Sequence, residues 1–254
     1  MTAPSTADRR AAPARARVLA QGRFEAMTLL RNGEQLLVSI ILPAMALVGL
    51  VSTQVPDLGD SPRVDIAAAG TLALAVASTA FTGQAISTAF DRRNGVLRFL
   101  GTTPLGRGGL LGGKAIAVAV VLAIQFLVLG TIAAVLGWRP ALGGLAPALV
   151  SVALGAVAFV ALALLIAGTL RAEAVLAVAN LLWVVFLGLG LLLPTAVLPG
   201  LVGTVAAFLP SGALGDAMRA SLVHGAWPWG PWLVLIGWGL VAGLLARRTF
   251  RFTD

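Results

Sequence analysis

The strongest constraint in this chain is a row of apolar runs, each about as long as a bilayer is thick. Residues 36–55, 66–90, 115–136, 145–170, 174–193 and 231–246 contain no Asp, Glu, Lys or Arg. Crossing the hydrocarbon core takes about 20 residues of α-helix. In lipid, every backbone polar group must be bonded within its own segment or a closed barrel, and runs of this length and continuity select the helix. The pattern predicts an all-α integral membrane protein with six transmembrane helices. Composition agrees: 59% of residues are hydrophobic and 11% are charged, against about 25% charged in soluble domains. The chain has no cysteine, which excludes internal disulfides and thiolate metal sites.

What separates the runs sets the orientation. The eighteen Lys and Arg residues are unevenly shared. Six precede the first run, five lie at 91–114, Arg171 sits between the fourth and fifth runs, and three follow the last. Only Arg63, Arg139 and Arg219 fall on the opposite side. Basic residues gather in cytoplasmic loops, so both termini are expected in the cytoplasm of a cell-membrane protein. The net charge of +8 is scattered over segment ends, which argues against nucleic acid as a partner.

Residues 1–17 lack apolar periodicity and are expected to be a disordered basic leader. Arg9-Arg10 is not followed by an apolar region until Leu36, so a cleaved export signal is not expected. Residues 18–35 mix Leu19, Phe24, Met27 and Leu30 with Arg23, Arg31 and Glu34. That is the pattern of an amphipathic helix lying in the membrane interface. Residues 18–254 are read as one transmembrane domain. Residues 194–230 are apolar but cut by Pro194, Pro199, Pro210 and Pro228. They predict short re-entrant or interfacial helices, buried in protein or lining a cavity. Trp227, Trp229, Trp232 and Trp238 suit an interfacial belt.

The island at 91–113, closed by Lys114, stands out. Arg92, Arg93, Arg98, Arg107 and Lys114 face a single acid, Asp91. Val96, Leu97, Phe99 and Leu100 predict a short helix, and Thr102-Thr103-Pro104 its stop. Leu97 and Leu100, three apart, share a helix face. This element reads either as a docking helix for a soluble partner or as a solvated basic loop. Gly108 to Lys114 matches the phosphate-binding pattern G-x-x-x-x-G-K, but Ala115 replaces the metal-binding hydroxyl and no strand precedes it. Nucleotide binding by this chain is therefore not expected.

Polar residues inside the runs are few. Ser78 and Thr82 in the second, Gln125 in the third and Asn180 in the fifth are candidates for a translocation path. Structural bonding between helices is the simpler role for each. No ionisable residue lies within the runs themselves, so ion-coupled transport is not favoured. His224, the lone histidine, has only Asp216 nearby and does not suggest a metal site. No catalytic cluster appears. Gly239/Gly243 and Ser151/Gly155 have the small-xxx-small spacing of closely packed helices.

In this order, the features resemble the type-2 permeases of ATP-binding-cassette exporters, from residue 18 to 252. Asp91, Arg93, Gly95-Val96-Leu97, Leu100, Thr103-Pro104, Arg107 and Gly113-Lys114 are similar to that family's cytoplasmic loop before the third span. Val96 stands where Thr is usual and Asp91 where Glu is commoner. The resemblance implies a transport subunit that is not itself an enzyme and holds no cofactor. A separate cytoplasmic ATPase, carrying ATP and Mg, would dock through Asp91, Arg93, Gly95, Leu97, Leu100 and Pro104. A second permease copy or paralogue would complete the unit, which would export an amphiphilic substrate. A non-transporting membrane anchor that recruits a soluble partner is the alternative reading.

Overall fold

The computed structural model describes residues 12–33 and 37–250. The expected disorder of the leader therefore falls mostly outside the described residues. Where they overlap, the structure corrects it: α1 (Ala14–Arg31) already includes residues 14–17. Pro13 precedes the helix with φ −52°, close to the helical value that proline's ring enforces. Ala and Arg are good helix formers, and Arg17 donates from its guanidinium to the Pro104 carbonyl.

The rest of the chain follows as α2 (Leu42–Ser52), α3 (Arg63–Ala77), α4 (Gln84–Arg93), α5 (Val96–Gly101), α6 (Gly106–Val135), α7 (Leu145–Thr169), α8 (Ala172–Phe186), α9 (Gly200–Phe208), α10 (Pro210–Leu222) and α11 (Trp229–Thr249). A π-helical turn at Ser78–Gly83 joins α3 to α4 in one 31-residue rod, Arg63–Arg93. Another, Leu187–Leu191, extends α8. No strand occurs among the described residues.

Five helical stretches are long and apolar enough to cross a bilayer, or six if the bent pair α9–α10 counts as one span. Among the described residues the first run, expected at 36–55, is a π turn at Leu37–Ile41 running into α2, about 24 Å of rise against a core of about 30 Å. Thr53 turns extended and ends it. The third span starts earlier than expected, because Gly106–Lys114 is already helical.

The α3–α4 rod is the centre of the bundle. Of its apolar window 89% is buried, against 22–33% for the other four spans. Alanine explains this: Ala67, Ala68, Ala69, Ala73, Ala75 and Ala77 are fully buried, and such small side chains let neighbours close in from every side. Helices α2, α6, α7, α8 and α10 all touch it. At mid-rod, Phe81, Phe159 and Phe186 meet with ring centroids 5.5–6.1 Å apart, distances at which aromatic pairs attract. The small-xxx-small spacing serves as expected: α11 lies along α7, with Gly239 against Val157 and Ala158, and Gly243 facing Ala161.

The segment before the last span is folded back. Helices α9 and α10 meet at 87°, and most of α10 is buried. The short helices expected here are thus present as a sharply bent pair; α10 is enclosed by protein, while α9 and the stretch before it are largely exposed. Trp227, Trp229 and Trp232 cluster at the start of α11 with centroids 5.1–6.0 Å apart. Trp232 is buried and donates to Ser151 Oγ at 2.8 Å, so it ties α11 to α7 instead of standing in a belt. Trp227 and Trp229 are exposed.

Candidate functional site

The basic island folds as α5 between two breaks. Helix α4 ends at Arg93, and Gly95 follows with φ +73°, a left-handed conformation that glycine takes without cost. The chain thereby turns out of the rod and into α5. Thr102 and Thr103 then end α5, their hydroxyls donating back to the Phe99 and Leu100 carbonyls at 2.8 and 2.7 Å. The second break lies where the Thr-Thr-Pro step places it.

The faces of α5 differ from the expectation. Leu97 is 4% exposed and points into the bundle, and Leu100 is partly buried. The apolar side chains offered outward are Val96 and Phe99, the latter 69% exposed. The helix follows Gly95 directly, and the turn there rotates Leu97 inward. Val96 and Phe99, also three apart, share the outer face. The apolar face expected at Leu97 and Leu100 is thus turned to the bundle, and the exposed one is Val96 and Phe99.

Around α5, charged residues join five elements. Lys114 on α6 is buried and donates to Glu25 of α1 at 3.1 Å, with Asp91 of α4 at 3.5 Å. Arg92 donates to the Ala167 and Leu170 carbonyls, the C-terminal end of α7, where a cation also meets the negative end of the helix dipole. Arg93 pairs with Glu173 at the start of α8 and lies 6.0 Å over the Phe90 ring. The Pro104 carbonyl is held by Arg17. Of the residues expected to couple to a partner, Asp91, Arg93 and Pro104 are thus engaged within the chain, and Gly95 shapes the turn. The side chain of Arg107 lies outside the described residues.

The glycine-rich stretch has a different use from phosphate binding. It lies inside α6, and its lysine is committed to Glu25 and Asp91. A Cβ on Gly113 would meet Gln21 Cβ at 3.0 Å and the Gly22 nitrogen at 3.3 Å. Gly112 faces Val18, and Gly22 faces Ile116. These glycines form the groove that seats α1.

The candidate path residues are not gathered in one place. Ser78, Thr82 and Gln125 are buried at the rod's π turn. Ser78 Oγ accepts from Trp183 Nε1 at 2.8 Å. Gln125 accepts from Thr79 at 3.0 Å and donates to the Ser39 carbonyl at 3.1 Å, linking α3, α6 and the first apolar run. In this conformation the bonds of Ser78 and Gln125 join helices, and the buried Thr82 hydroxyl has no hydrogen-bond partner among the described residues. Asn180 stands apart on an exposed face of α8.

A second charged cluster was not anticipated from the sequence. Arg219 of α10 is buried. It donates to the Gly190 and Leu191 carbonyls and lies 3.3 Å from Asp216. Asp216 accepts from the Thr195 backbone N–H and hydroxyl. Gly190, at φ +102°, breaks the helix there, and Arg219 satisfies the carbonyls this frees. The signal was an Arg three residues from an Asp in a proline-cut segment, which reads equally well as an outer loop.

The chain is thus a polytopic helical bundle with a short, partly exposed helix at its basic end. The sequence matches the ABC-2 family transporter protein model over residues 27–248, and the chain belongs to that family. No curated protein matches it.

Proposed function

We propose that this chain is the permease subunit of an ATP-driven exporter and takes its energy from a separate cytoplasmic ATPase. The observation that carries this reading is α5. It is a short helix with an exposed apolar face, Val96 and Phe99, at the basic end of the bundle. The segments flanking it are tied down: Arg17 of α1 holds the Pro104 carbonyl after it, and Asp91 of α4 before it meets Lys114 of α6. A force applied to α5 reaches the rod through the short Gly95 turn on one side and α6 through the short 102–105 link on the other.

In this reading ATP and Mg stay on the partner, and Val96 and Phe99 enter its cleft. A second copy or paralogue completes the unit, and Asn180 lies on a face such a copy can cover. Ser78, Thr82 and Gln125 would join a path only when the rod and α8 part. The apolar interior suits an amphiphilic substrate. Both termini are cytoplasmic, in the cell membrane.

The test is co-expression and co-purification with a soluble ABC ATPase. A stable complex whose hydrolysis rises above that of the free ATPase supports the reading. A chain that retains the ATPase but moves no amphiphile in vesicles is instead a membrane anchor.

A further inference from the structure

An open groove of about 830 Å³ runs between α6, α7 and α11. It exists because its walls carry small residues, among them Ala119, Ala123, Ala153, Ala156, Gly239 and Gly243. On α6 it extends from Leu110 to Phe126, about 24 Å of helix rise. Along that length its rim carries exposed apolar side chains, Leu111, Leu149 and Val157 among them, which face hydrocarbon.

One end of the groove is polar. Thr88, Lys114 and Arg247 line it there, beside Leu97 of α5. Lys114 is already paired with Glu25 and Asp91. Arg247 has no acidic partner among the described residues, and neither has its neighbour Arg248. The Thr88 hydroxyl is buried without a hydrogen-bond partner, an orphan that a buried polar group ordinarily avoids.

We infer that this groove seats a phospholipid of the bilayer with an anionic headgroup. Its acyl chain lies against the alanine and glycine walls, its phosphate meets Arg247, and its glycerol region comes level with Thr88. The lipid touches Leu97, so it supports α5 from within the membrane. The inference does not depend on an ATPase or on export.

The test uses delipidated protein in detergent, titrated separately with dioleoyl phosphatidylglycerol and dioleoyl phosphatidylcholine. Bound lipid is read by native mass spectrometry, and oligomeric state in the same spectra. The wild type is expected to prefer phosphatidylglycerol, and Arg247→Gln to lower that preference about fivefold, the effect of one basic residue near an anionic surface. Ala123→Phe and Ala153→Phe should reduce retention of both lipids, and Ala123→Val and Ala153→Val should do so in smaller steps if the larger residues prevent folding. Leu181→Phe, on the outer face of α8, is the control and should change neither. Equal retention of the two lipids by the wild type overturns the headgroup assignment. Undiminished retention in the filled variants overturns the site. Loss of a dimer with unchanged lipid assigns the groove to a second copy and overturns it as well.

Discussion

Single residues at the basic end decide how firmly α5 is held. Lys114 is one cation between two acids, and its side chain is 5% exposed against 12% for Glu25. Removing one partner of a buried pair costs about 3 kcal/mol or more, whereas replacing the pair with apolar groups is often neutral. Lys114→Met should therefore lower the unfolding free energy by about 3 kcal/mol. Lys114→Met/Glu25→Met should recover most of it, because Asp91 still reaches solvent. A denaturant series in detergent micelles checks both, and equal losses in the two variants would show that Glu25 is not the partner that matters. At Gly95, a Cβ at φ +73° costs about 1–2 kcal/mol. Gly95→Ala should appear as a lower melting temperature with the helices intact by circular dichroism.

Among the elements, those built on composition and proline were legible in the sequence. The long apolar runs became helices, the Thr-Thr-Pro step ended α5, and the proline-cut segment folded back. The faces were harder. Leu97 and Val96 are both apolar and adjacent, and which one looks outward depends on the angle at which Gly95 releases the chain. The Gly109–Gly113 stretch read as a span entry because its partner, α1, is about 90 residues away in sequence. The structure makes that contact testable. Gly113→Leu should force α1 off α6, since the added side chain meets the backbone of Gly22. Limited trypsin digestion should then cut faster at Arg23 and Arg31, with α6 unaffected. An unchanged digestion rate would mean that α1 is held by Lys114–Glu25 and not by the groove.

For the whole molecule, the contacts arrange both described ends of the chain on one side. Arg17 meets Pro104, Lys114 meets Glu25, Arg93 meets Glu173, and Phe250 lies against Gly168. At the opposite end, the Arg139 N–H donates to Asp65, and the Ala141 N–H donates to the Leu222 carbonyl. The charge asymmetry of the sequence then predicts which end is cytoplasmic. Because the chain has no cysteine, single cysteines report this directly. In intact cells an impermeant thiol reagent should label Asp60→Cys and His224→Cys and leave Asn94→Cys unlabelled. The reverse pattern would place α5 outside, beyond reach of a cytoplasmic partner.

The central claim is that α5 is the surface through which a soluble ATPase drives this family member. It is tested most directly by retention of that ATPase on tagged Val96→Asp/Phe99→Asp, with the melting temperature of each permease measured alongside. Burial of Phe99 at an interface contributes about 1.5–3 kcal/mol, and Val96 adds to it, so losing both should weaken binding by roughly two orders of magnitude. The account predicts that the variant inserts, melts like the wild type and no longer retains the ATPase. Full retention by a normally folded variant would contradict it.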